Sequence, residues 1–167
     1  MPIILITGGA RSGKSTRAET RAQSFAGKPV YIATAIGFDH ELRERIATHR
    51  ARRGHDWIER ETPLELVAAL KATDGGGARL VDCLTIWLTN LMHEGRDWKM
   101  EAAGLTEALG AQQSPVVLVT NEVGSGIVPD NALAREFRDA AGLLNQMIAR
   151  AADEVEFVVA GLPMRVK

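Results

Sequence analysis

The chain has 167 residues, of which 46% are hydrophobic and 25% charged, with a formal net charge of -1 at pH 7. That is globular composition; it excludes a disordered chain, and the balanced charge gives no global attraction to nucleic acid or an anionic membrane. The longest apolar runs are strand-sized, so no membrane span is expected, and the length fits one domain covering 1–167.

Met1-Pro2 leads into a strand without the basic region and cleavage site of a secretory leader. Cys83 is the only cysteine, so no internal disulfide can form and a cytoplasmic, reducing setting is expected. Standing after an apolar run, Cys83 itself reads as a small buried hydrophobe.

The apolar run Ile3-Ile4-Leu5-Ile6 reads as a buried strand, and Gly8-Gly9-Ala10-Arg11-Ser12-Gly13-Lys14-Ser15 follows it at once. This matches the phosphate-loop pattern of Gly, four residues, then Gly-Lys-Ser/Thr. Glycines let several backbone N–H groups converge on phosphate oxygens, and the following helix turns its positive end to the same charge. Lys14 adds a mobile cation for the β- and γ-phosphates, and Ser15 a hydroxyl for Mg²⁺. A strand before and a helix after are the context this motif requires, so nucleotide binding is expected.

Residues 14–25 lack Gly and Pro and end at Gly27-Lys28-Pro29, which predicts a helix with a stop signal; residues 30–34 supply a second strand. Strand, loop, helix and strand make a βαβ unit. The fold class expected is therefore α/β, a P-loop NTPase (RecA-like) with a mostly parallel sheet and helices on both faces.

Residues 39–53 predict a helix with Asp39 as N-cap and Leu42, Ile46 and His49 on one face. The segment also carries Arg43, Arg45, Arg50, Arg52 and Arg53 against Glu41 and Glu44, which suits either a solvated face or an anion site. Residues 57–61 read as an extended piece, and Thr62-Pro63 as the opening of a helix with Leu64, Val67 and Leu70 on its apolar side. Residues 79–82 form a strand ending in Asp82. Many strands end in Asp, but beside a phosphate loop such an acid is the usual second anchor for Mg²⁺.

Helices are predicted over 84–93 and 101–111, and Ser114-Pro115 breaks the chain before a strand at 116–120. The polar, Gly-rich stretch from Asn121 to Pro129 either lines the site at the carboxyl ends of the strands or merely connects strand to helix. Residues 131–153 read as a long amphipathic helix with Leu133, Phe137, Leu144 and Ile148 inward, followed by a strand at 155–159 and an edge strand over 162–167.

Several stretches together resemble the bifunctional adenosylcobinamide kinase/adenosylcobinamide-phosphate guanylyltransferase family of cobalamin biosynthesis, nearly end to end. Thr7 to Ser15 resembles that family's phosphate loop, and Tyr31-Ile32-Ala33-Thr34-Ala35 its second strand. Arg45-Ile46, His49-Arg50, Arg52-Arg53, Trp57 and Glu61 resemble its guanylylation segment, and Thr120-Asn121-Glu122-Val123-Gly124 through Ile127-Val128-Pro129 its most distinctive loop. The resemblance implies that His49 is the nucleophile that becomes guanylylated. It also implies that Ala33, Thr34, Ala35, Arg50, Ala51, Arg52, Arg53, Glu61 and Asp82 help hold the nucleotide.

The resemblance further implies GTP, ATP and Mg²⁺, adenosylcobinamide and its phosphate as substrates, and a homotrimer with sites near subunit boundaries. The sequence departs from the family at Gly54, where proline is expected, which predicts a more mobile guanylylation loop. The chemistry is sound on its own terms. A neutral imidazole is nucleophilic near pH 7, and attack on the α-phosphorus of GTP would expel pyrophosphate and leave a phosphoramidate. Guanidiniums beside it would neutralise the phosphate oxygens.

The other histidines, His40, His55 and His93, carry no comparable context and read as surface or core residues. Three alternatives stand beside this reading. A P-loop kinase of another small molecule would leave His49 merely buried. A nucleic-acid-stimulated ATPase would use the basic helix, against the balanced net charge. A GTP switch would need an Asn-Lys-x-Asp arrangement, which Asn121-Glu122 lacks.

Overall fold

The computed structural model describes residues 1–35 and 56–167. The predicted helix at 39–53, and with it His40, His49, Arg50, Ala51, Arg52, Arg53, Gly54 and His55, lies outside the described residues. In chain order the elements are β1 (Ile3–Gly8), α1 (Lys14–Gln23), β2 (Val30–Ala33), β3 (Ile58–Glu61), α2 (Leu66–Ala72), β4 (Arg79–Asp82), α3 (Leu84–His93), α4 (Trp98–Gly110), β5 (Val116–Val119), α5 (Ala132–Ala151), β6 (Glu154–Val159) and β7 (Leu162–Arg165).

Among the described residues the strands form one seven-stranded sheet in the order β3-β2-β4-β5-β1-β6-β7. All neighbours run parallel except β6 and β7. The expected βαβ unit is present, but β1 and β2 are not neighbours: β5 and β4 lie between them.

Central strands covered on both faces read as unbroken apolar runs, because both side-chain directions must be buried. In β1, Ile3 and Leu5 join a core cluster with α2, α3, α4 and α5, whereas Ile4 and Ile6 join a second cluster with Ala18 and Ala22 of α1. The same alternation places Val116 and Leu118 on the first face and Val117 and Val119 on the second. Helices thus cover both faces, as the patterning implied.

Element ends depart from the periodicity where a side chain intervenes. Helix α4 begins at Trp98, earlier than predicted, because Asp97 caps it by accepting from the N–H groups of Lys99 and Met100. Helix α2 begins only at Leu66 and not at Thr62-Pro63. The carbonyls of Pro63 and Leu64 are engaged by Asn90 and Trp87 from α3, which holds that stretch in a non-helical path. On α5 the prediction for Leu133 is wrong, since this residue is 70% exposed. It stands eleven residues, three turns, before Leu144 and so has the right phase. The first turn nevertheless runs past the core, whose α5 members begin at Phe137.

Candidate active site

The phosphate loop is shaped by close approaches that only glycine permits. A Cβ on Gly8 would stand 2.5 Å from the Val158 carbonyl oxygen and 2.7 Å from Ser12 Oγ. Gly13 has φ 95°, and its Cβ would meet Gly161 Cα at 3.0 Å. The turn between β6 and β7 therefore packs directly on the loop, and the Gly161 N–H donates to the Ser12 carbonyl at 2.8 Å. That contact was not foreseen from the sequence, because 148 residues separate its partners and no local signal links them.

Ser12 Oγ is buried without a hydrogen-bond partner inside this cradle. A buried hydroxyl left so is costly unless something fills the site, which fits a phosphate oxygen there. Lys14 Nζ donates to the Gly9 carbonyl at 2.9 Å, so the ammonium already leans over the loop. Helix α1 is fixed from behind: Arg17 makes a two-point contact with Glu156 of β6, at 2.7 and 2.8 Å, and Arg21 pairs with Glu154 at 2.8 Å. The Arg17 contact holds the Glu156 carboxyl below the usual carboxylate range, against the opposing effect of burial.

Register carries the site across the sheet. Ile6 pairs with Val119, Val119 with Asp82, Asp82 with Ala33, and Ala33 with Glu61. These residues form one rung at the carboxyl edge, with neighbours about 4.8 Å apart. Asp82 therefore stands about 10 Å from the loop strand, and Glu61 about 10 Å further along the same edge. The structure brings Gly8 to Ser15, Ala33, Thr34, Ala35, Glu61 and Asp82 to one edge of the sheet. Asp82 Oδ2 accepts from the Tyr31 hydroxyl at 3.0 Å.

Neutral side chains tie the strand ends together. The Thr34 hydroxyl accepts from the Cys83 N–H and donates to the Cys83 carbonyl, both at 2.8 Å. Asn90, buried on α3, donates through Nδ2 to the carbonyls of Thr34 and Pro63, both at 2.9 Å. On the other side of Asp82, Thr120 Oγ1 donates to Asn145 Oδ1 at 2.7 Å, Asn145 Nδ2 donates to the Asn121 carbonyl at 3.1 Å, and the Asn121 N–H donates to Thr85 Oγ1 at 2.8 Å.

None of Asn90, Asn145 and Thr85 stood out in the sequence. An asparagine on the apolar side of a helix, as Asn90 is among Leu84, Leu88 and Leu91, is the signal that could have found them. Cys83 is buried as expected, and burial, helped by Asp82, pushes its thiol up to about 12, so it is inert near neutrality. His93 lies exposed at the end of α3.

Ser15 on α1 and Asp82 on β4 are the two groups expected to hold Mg²⁺. Among the described residues no three His, Cys, Asp or Glu gather as a metal cage. One hydroxyl and one carboxylate fit Mg²⁺, which keeps several waters and takes substrate phosphates as ligands. No helix among the described residues is long and apolar enough to cross a membrane.

A parallel sheet with a phosphate loop between its first strand and helix, and an acid on the rung beside it, defines a P-loop NTPase. Solved structures agree at the level of fold: the P4 protein of bacteriophage phi6 in complex with ADP is similar with a TM-score of 0.55 at 12% identity, covering 97% of this chain and 52% of that one. A KaiC-like protein of Pyrococcus horikoshii is similar with a TM-score of 0.52 at 14% identity, covering 93% and 70%.

The chain belongs to the cobinamide kinase / cobinamide phosphate guanyltransferase family, whose profile matches residues 4–166. It is 47% identical to the bifunctional adenosylcobalamin biosynthesis protein CobP of Pseudomonas aeruginosa, over 98% of this chain and 96% of the relative. It is 42% identical to the bifunctional adenosylcobalamin biosynthesis protein CobU of Salmonella typhimurium, over 99% of both. The protein is thus an enzyme of cobalamin biosynthesis with cobinamide kinase and cobinamide phosphate guanylyltransferase activities.

Proposed function

We propose that the chain phosphorylates adenosylcobinamide with ATP or GTP at the phosphate loop, and then converts the product to adenosylcobinamide-GDP with GTP, through a guanylyl group carried on His49. What supports this reading is the single rung that joins Ile6, on the strand leading into the phosphate loop, to Asp82, Ala33 and Glu61. It gives one carboxyl edge long enough, at about 19 Å across four strand spacings, to serve a triphosphate at one end and a second nucleotide contact at the other.

In the kinase step the loop N–H groups and Lys14 hold the β- and γ-phosphates and stabilise charge as the γ-phosphoryl group moves to the acceptor hydroxyl. Ser15 and Asp82 would hold Mg²⁺, which supplies neutralisation of the phosphate charge. In the transfer step the His49 imidazole attacks the α-phosphorus of GTP, the bond to the β-phosphate oxygen breaks, and pyrophosphate leaves. The phosphate of adenosylcobinamide phosphate then displaces the imidazole and takes up GMP. Arg50, Ala51, Arg52, Arg53, Glu61 and residues 33–35 hold that nucleotide in this reading.

Incubation with α-labelled GTP is the decisive experiment. The expected result is an acid-labile, base-stable label on the parent protein and none on His49→Ala. A parent that stays unlabelled, or a label that survives His49→Ala, would refute the adduct while leaving a kinase.

Both reactions belong to one domain in this reading, located in the cytoplasm, and the chain acts as a homotrimer. The exposed apolar side chains Leu162, Met164 and Val166 along the β7 edge support burial against another copy. Sedimentation velocity should show a species of three chains.

A further inference from the structure

The kinase step needs a group to receive the hydroxyl proton of the acceptor, and none of the residues assigned so far does this. We propose that Glu122 is that general base. It follows β5, the strand between β1 with the phosphate loop and β4 with Asp82. The Glu122 N–H donates to the Gly8 carbonyl at 3.1 Å, while Lys14 Nζ sits on the next carbonyl, that of Gly9. The main chain of Glu122 is thus bonded to the first residue of the loop. Its flank is held as well, through Asn121, by Thr85 and Asn145.

The carboxylate is held by its own turn. Glu122 Oε1 accepts from the Gly124 N–H at 2.6 Å, and a Cβ on residue 124 would stand 2.9 Å from that same oxygen. The acid thus folds back onto its own turn, while its main chain stays on the phosphate loop. A carboxylate has about four lone-pair sites, so one N–H leaves capacity to take a proton. The other acids nearby have different work: Asp82 lies on the rung and meets Tyr31, and Glu156 is paired with Arg17. Beyond Gly124 the loop leaves Ile127, 97% exposed, and Val128 open to solvent, apolar surface on the segment that carries the acid.

The inference rests on the kinase activity of the family. In the step, the acceptor O–H bond breaks and its proton passes to the Glu122 carboxylate. The freed oxygen forms a bond to the γ-phosphorus, and the γ-phosphorus to β-oxygen bond breaks with its electron pair leaving on the nucleoside diphosphate. Glu122 then returns the proton to solvent.

The test is single-turnover phosphorylation of cobinamide by the full chain with γ-labelled ATP or GTP, comparing parent, Glu122→Gln and Glu122→Asp. Nucleotide affinity and the half-saturating Mg²⁺ concentration are measured alongside. Glutamine keeps an oxygen for the Gly124 N–H but cannot serve as the base. It is expected to slow the chemical step by about 10²–10⁴-fold, with nucleotide affinity and Mg²⁺ dependence within about twofold of the parent. Aspartate keeps the acid at shorter reach, so its rate should fall between the two; should the glutamine variant fail to fold, an aspartate rate equal to the parent's would overturn the proposal.

A glutamine rate within about tenfold of the parent overturns the proposal alone. So does a loss that appears as a raised Mg²⁺ requirement or weakened nucleotide binding. A parent that transfers no phosphoryl group to cobinamide overturns the kinase reading, and the proposal with it.

Discussion

The two ends of the sheet solve the same problem, polar groups at strand termini, in opposite ways. At the amino end, the Arg79 guanidinium is fully buried and meets Asp74 at 2.9 Å and Gln112 at 2.5 Å. Asp74 in turn accepts from the N–H groups of Gln113 and Ser114. Burial lowers the pKa of Arg79, with Asp74 opposing, whereas Asp74 is held below its ordinary value because those N–H groups and Arg79 outweigh its own burial.

At the carboxyl end the bridging is done by neutral groups, Thr34, Asn90, Thr120 and Asn145, while the charged Lys14, Asp82, Glu61 and Glu122 remain partly or fully exposed. Charges tied up in pairs stabilise. At the carboxyl edge the charged groups keep contact with solvent. A shallow cleft of about 500 Å³ lies at the amino end, lined by Lys28, Arg60 and Gly75 to Gly77, yet none of the loop residues reaches it.

Asp74→Ala should break this contrast most sharply. It strips the acceptor from two N–H groups and leaves a buried guanidinium uncompensated, a loss of about 3–5 kcal/mol in urea unfolding. Activity per folded molecule should stay at the parent level. Lys14→Ala is the mirror experiment at the other end. Kinase turnover should fall by about 10²–10³-fold, with the unfolding midpoint little moved.

Asn90→Ala tests the bridges between. It removes the donor from the Thr34 and Pro63 carbonyls and should cost about 1–3 kcal/mol by the same unfolding assay. The smallest effect is on pH dependence. Because Asp74 and Glu156 have folded pKa values below their unfolded ones, their contribution is fully present above the unfolded values, about 3.9 and 4.3, and is lost as pH falls through the lower folded ones. Stability should therefore decline in acid from about pH 5 downward, and Asp74→Asn should flatten that decline.

Much of this was legible in the chain itself, because the signals are local. Gly8 to Ser15 spelled the phosphate loop, the apolar runs at residues 3–6 and 116–119 spelled strands buried on both faces, and Asp82 closed its strand where an acid was sought. Side-chain identity and spacing of two or 3.6 residues fix such features before any folding occurs.

Tertiary structure alone decided what depends on distant pairing. It placed β5 and β4 between β1 and β2, set Glu61 on the rung of Asp82, laid the turn at Gly161 against Gly13, and exposed Leu133 despite its helical phase. Strand order and register are settled by burying both faces of the whole sheet at once, and no window of sequence contains that constraint.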